Sequence, residues 1–138
     1  MSKSLFALVL CLMLLAPAIV QAQSDPYQGE YMCAANVTSD CGSCPQWVDP
    51  SSNFIVQVEP QGGDTYQFCV HDLETDCYTA PIQDDRVHVA DSETSYGVTV
   101  TRTVDGQYAF GKWTMTEQGS LSGACSCSFS MDATCIKQ

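Results

Sequence analysis

The sequence predicts an all-β domain, an antiparallel meander of seven or eight strands forming a small barrel or sandwich and stapled by about four disulfides. Three observations predict it. Apolar and polar side chains alternate through most of the chain after residue 28, turn-forming residues separate the alternating runs, and the cysteines number eight once a leader is set aside. No window of ten or more residues after the leader shows helical period, so crossover helices and a parallel sheet are not expected.

The leader comes first. Lys3 supplies a basic start, Leu5 to Leu15 form an uncharged apolar run, and Val20-Gln21-Ala22 ends it with residues suited to signal peptidase. Pro17 interrupts the stretch, which falls short of the roughly 20 apolar residues a bilayer span requires. Residues 1–22 are therefore expected to be a cleaved signal peptide and residues 23–138 a single disulfide-rich β domain, with no membrane span after cleavage. Cleavage removes Cys11 and leaves Cys33, Cys41, Cys44, Cys69, Cys77, Cys125, Cys127 and Cys135 to pair in an oxidising compartment, secreted or periplasmic.

The strands follow in order. Gln23 to Gln28 is polar, contains Pro26 and is expected to be a frayed lead-in. Strand signals mark Gly29 to Ala34, Asn53 to Glu59, Thr65 to His71, Arg86 to Ala90, Tyr96 to Val104, Gln107 to Thr116 and Ala124 to Met131, with Cys77 to Ile82 as a weaker eighth. Pro60-Gln61-Gly62-Gly63-Asp64 reads as one hairpin turn, and Asp105-Gly106 as another, placing Val98, Val100 and Val104 on one face of a central hairpin. In the last strand Cys125, Cys127, Phe129 and Met131 share a face. Cys33 or the Cys41 and Cys44 loop is expected to meet the C-terminal cysteines, with Cys69 and Cys77 joined to each other. Gly29-Glu30-Tyr31, Gly111-Lys112-Trp113 and the hairpin order resemble lipocalin-like and avidin-like barrels only in generic β features, so no family residue is carried over.

Charge narrows the function classes. All sixteen Asp and Glu follow the leader, against Arg86, Arg102, Lys112 and Lys137, and the whole chain carries a formal charge of −11. Such a field repels phosphate backbones, so nucleic acid is not an expected partner. No cofactor is expected either.

The candidate sites each have a plain structural reading beside the chemical one. Cys41-Gly42-Ser43-Cys44 has redox-dithiol spacing, but Pro45, Gln46, Trp47, Val48, Asp49 and Pro50 follow where a helix is needed, which favours a structural bridge. Asp72, Glu74 and Asp76 are candidate calcium ligands; the EF-hand pattern fails because Cys77 and Gln83 stand where Gly and Glu belong, and a solvated acidic loop explains them as well. His71 and His88 could serve as a base or as ligands only by converging, and alternation favours solvent. No nucleophile turn is present, so no catalytic residue is assigned and an enzyme is not expected. Asn36-Val37-Thr38 is a glycosylation acceptor, and Trp47, Tyr78 and Tyr96 are candidate contact aromatics near strand ends.

These readings predict a secreted or periplasmic, non-catalytic module whose loops bind an extracellular protein, glycan or small molecule. The first alternative is a small barrel, lipocalin-like or avidin-like, enclosing an apolar ligand in a cavity of at least about 300 Å³. The second is an inhibitor of a secreted hydrolase that presents the loop from Asp40 to Pro50.

Overall fold

The computed structural model describes residues 24–42, 44 and 49–138; the expected signal peptide and Trp47 lie outside the described residues. Eight strands follow one another: β1 (Gly29–Asp40), β2 (Asn53–Gly62), β3 (Thr65–His71), β4 (Thr75–Gln83), β5 (Arg86–Ser95), β6 (Val98–Ala109), β7 (Lys112–Gly123) and β8 (Cys127–Lys137). Each pairs antiparallel with its chain neighbour, and β8 returns to β1, so the meander is a closed barrel. Closure pairs β8 with both β7 and β1, and β1 with β2 as far as Ala34.

Alternation decides which side chains enter the barrel. In β8, Cys127, Ala133 and Cys135 are buried while Ser128, Asp132 and Thr134 are exposed; in β2, Phe54, Val56 and Val58 are buried, alternating with half-buried Ile55 and exposed Gln57 and Glu59. Every strand adds such a row, and the shared core includes Tyr31, Phe68, Ile82, Val87 and Trp113.

The four disulfides are Cys33–Cys135, Cys41–Cys127, Cys44–Cys125 and Cys69–Cys77. The first lies inside the barrel and joins β1 to β8, where the two residues are register partners. The second and third tie the connection after β1 to the start of β8. The fourth lies across the outer face of β3 and β4, whose inward positions belong to Phe68 and Tyr78.

Two expectations need correction. Asp105-Gly106 is not a turn: both residues sit inside β6, facing Thr116 and Met115 of β7, and the chain reverses at Phe110-Gly111. Those two residues carry the positive φ angles, 51° and 75°, that a two-residue hairpin requires. Gly106 is needed for a different reason, since a Cβ there would stand 2.7 Å from Val87 Cγ1 and 3.4 Å from Trp113. The strand following Gly97 accordingly runs further, to Ala109, and β7 starts at Lys112.

Within its described residues the lead-in is not frayed either. Asp25, Pro26 and Tyr27 fold across one end of the barrel, where Tyr27 packs edge-on against Tyr66 and Tyr108 with ring centroids 5.4 and 5.0 Å apart. Tyr66 Oη donates to Asp25 Oδ2 and Tyr31 Oη to the Tyr27 carbonyl, each at 2.7 Å. Tyr108 Oη and Lys137 Nζ both donate to the Pro26 carbonyl. Polar composition predicted a loose segment, but the aromatic ring of Tyr27 and these acceptors hold it.

Candidate ligand-binding cavity

The lead-in closes the end of the barrel that holds the β2–β3, β4–β5 and β6–β7 turns. Beneath Tyr27, Trp113 stands 5.9 Å from Phe68 and 5.2 Å from Tyr108, ring centroid to ring centroid, and Tyr31, Val58 and the Cys33–Cys135 bridge complete a packed floor. Trp113 Nε1 is buried there without a hydrogen-bond partner among the described residues.

Above this floor the side chains no longer meet. A cavity of about 530 Å³ opens toward the other end, lined on its apolar side by Phe54, Val56, Val89, Val104, Met115 and Met131 among others. Pro50 and Leu73 stand at its rim. The inward rows continue up each strand, yet valine, methionine and polar residues predominate in them and only Phe54, Tyr78 and Phe129 are aromatic, and the space is left unfilled.

The polar groups of the cavity gather on one wall. Arg102, from β6, holds Asp91 of β5 through Nε at 3.0 and 3.1 Å and through Nη2 at 3.1 Å. That fork and the nearby carboxylates of Glu117 and Asp76 raise the guanidinium pKa further, so Arg102 stays charged. Glu117 of β7 also lines the cavity, and burial pushes its carboxyl pKa up. Tyr78, stacked on Phe68 at 5.4 Å, faces the same wall; desolvation, with Glu117 close by, raises its hydroxyl pKa strongly.

Beside this wall the barrel is weakly joined. β4 and β5 pair only at Ile82–Val87 and Gln83–Arg86, whereas β5 and β6 pair along ten positions from Arg86–Gln107 to Ser95–Val98. From Thr75 to Pro81 and from His88 to Ser95, the facing edges of β4 and β5 have no ladder partner on that side. Asp76 and Tyr78 on one flank and Val89 and Asp91 on the other belong both to this seam and to the cavity.

The residues singled out from sequence fall in several places. Tyr78 lines the cavity wall, which corrects the expectation of a contact surface near a strand end; its even position in β4 points it inward with Ala80 and Ile82. Tyr96 is fully exposed in the β5–β6 turn with φ 50°. Asn36 is exposed on the outer face of β1, opposite Asp132. Asp72 accepts the Ser51 backbone N–H at 2.9 Å, while Glu74 and Asp76 are exposed around the rim, and no group of three or more His, Cys, Asp or Glu suited to a metal ion occurs among the described residues. His71 contacts Thr75 at 3.1 Å and His88 contacts Asp105 at 2.6 Å, each within its own strand pair. The loop from Asp40 to Pro50, which an inhibitor was expected to present, lies in part outside the described residues.

Arg102, Asp91 and Glu117 were missed as site residues. The signal was parity: Arg102 shares a face with Val98, Val100 and Val104, and Glu117 shares one with Trp113 and Met115. A charge in an apolar row marks either a bulge or a lined cavity. Comparisons with protein families, with characterised proteins and with solved structures find no match for this chain.

Proposed function

We propose that the chain is an exported, non-catalytic carrier that holds a small ligand with an apolar body inside its barrel. The observation that carries this reading is the cavity of about 530 Å³. It falls within the range of roughly 300–1,000 Å³ in which small-molecule sites are found, and it joins apolar walls to a few convergent polar groups. A module that bound through its loops alone would need no such interior. Export after loss of residues 1–22 accords with four disulfides, which persist in oxidising compartments.

The test is native mass spectrometry of the oxidised protein purified from an exporting host, followed by titration with an environment-sensitive apolar fluorophore. The reading expects one saturable site per chain and displacement of any co-purified small molecule. A protein that binds no probe, yet is captured by an extracellular protein or glycan through the loops, would return the function to the loop-presenting scaffold.

A further inference from the structure

The carrier reading leaves open what the polar wall selects, and the geometry of its charges answers that. Resting on that reading, we infer that the ligand is a cationic amphiphile, an ammonium group on an apolar body, with Glu117 as the carboxylate that receives the ammonium.

Five carboxylates border the cavity, those of Asp72, Glu74, Asp76, Asp91 and Glu117, against the single cation Arg102. Arg102 is already committed, because its fork closes on both oxygens of Asp91. Asp72 is partly occupied by the Ser51 N–H. Glu117 makes no hydrogen bond or ion pair among the described residues, although it stands inside the barrel. The Tyr78 hydroxyl, on the same wall, also lacks a hydrogen-bond partner there. Arg102 attracts the Glu117 carboxylate only from a distance and desolvation outweighs that attraction; a partly desolvated carboxylate with no direct hydrogen bond is costly, and a bound ammonium offsets that cost with up to three donors while the phenol oxygen accepts one of them. An anionic ligand would meet the opposite: it would have to draw Arg102 from Asp91 and then lie among the remaining carboxylates.

The groups facing Glu117 are Arg102 from β6, Asp91 from β5, and Asp76 with the Tyr78 hydroxyl from β4, while β8 brings Met131. Met115 and Val104 continue the wall as apolar surface toward the floor, so head and body of an amphiphile have separate places. Burial raises the Glu117 pKa in the empty barrel, so an incoming ammonium competes with a proton for the same oxygens. Binding of the cation therefore weakens as the pH falls through the range in which Glu117 takes up its proton.

Three probes with one hydrocarbon chain, dodecylammonium, dodecanol and dodecanoate, separate the terms when titrated below their aggregation limits. Dodecylammonium is expected to bind about tenfold more tightly than dodecanol, and dodecanoate the most weakly. Glu117→Gln removes the ammonium's advantage and keeps the dodecanol affinity, which also reports that the barrel is intact. Asp132→Asn, the same charge change on the outer face of β8, leaves the order untouched. In the wild-type protein, acidification weakens dodecylammonium without weakening dodecanol, a result that needs no variant to fold. Equal binding of the three probes, or a preference that survives in Glu117→Gln, overturns the inference while leaving the cavity in place. Failure of all three to bind overturns the carrier reading as well.

Discussion

Cys33 and Cys135 are register partners on β1 and β8, and the disulfide between them locks the first strand to the last within the packed floor of the barrel. The pair is separated by 102 residues, against 8 for Cys69 and Cys77. The Cys41–Cys127 bridge nests inside that span, so with it intact Cys33–Cys135 closes a further loop of only about 18 residues, and replacing both Cys33 and Cys135 with Ala is expected to cost about 3 to 4 kcal/mol against about 2 to 3 kcal/mol for the outer bridge. Denaturant unfolding of the two double variants checks the order. Partial reduction of the native protein should open Cys69–Cys77 first, because Cys77 is exposed and Cys33 and Cys135 are not.

Gly106 should resist substitution although it lies in regular strand. An added Cβ meets Val87 Cγ1 at 2.7 Å, and Val87 is itself buried, so Gly106→Ala is expected to destabilise by about 1 to 3 kcal/mol through overpacking. Val87→Ala in the same chain makes room for the new methyl group. The double variant should therefore lose less than the two single losses added together, which a double-mutant cycle measures.

The tyrosines of the closed end predict a loss of stability in alkali. The Tyr27 pKa is raised to about 12, chiefly by its hydrogen bond to Asp85, and that of Tyr66 to about 12 by burial and its bond to Asp25. A folded pKa above the unfolded value of 10.0 means that the neutral phenol is favoured in the fold. The stabilisation is complete below pH 10 and is lost as the pH rises through about 12. Thermal unfolding across that window, with tyrosinate absorbance recorded alongside, should show the melting temperature falling as the phenols ionise, and Tyr27→Phe with Tyr66→Phe should flatten the slope.

Glu117 predicts an effect of opposite use. Its raised pKa means that the ionised carboxylate weakens the empty barrel, with the contribution favourable below the unfolded pKa and lost as the pH rises through the folded one. Glu117→Gln should therefore unfold at a higher denaturant concentration than the wild type at pH 7. The gain should shrink as the pH is lowered toward the carboxylate range, where the wild type is protonated too.

Much of the barrel was legible because period-two alternation needs only residue types. Strand existence, antiparallel order and the burial of Cys127 and Met131 toward one face follow from it, and β8 runs on past the expected end at Met131 because Ala133 and Cys135 keep the same parity. Turn position was less legible. Asp-Gly is a strong hairpin signal, yet Phe110-Gly111 takes the turn because interstrand register and the contact of Gly106 with Val87 outweigh local preference. The cavity was hidden for another reason: whether inward rows fill a barrel depends on the side chains that oppose one another across it, and no local pattern reports that. Its polar wall could have been read from Arg102 among the valines of β6.

Filling the cavity from within tests the central claim most directly. Val100→Trp and Val89→Trp each place an indole in the space from half-buried wall positions, whereas Thr101→Trp places one on the outer face of β6. Titration of the apolar fluorophore should show at least about tenfold weaker binding to the two inward variants, as expected when an aromatic ring displaces the ligand's body, and wild-type binding to the outward one. Equal affinity in all three variants would place the ligand outside the barrel and contradict the account.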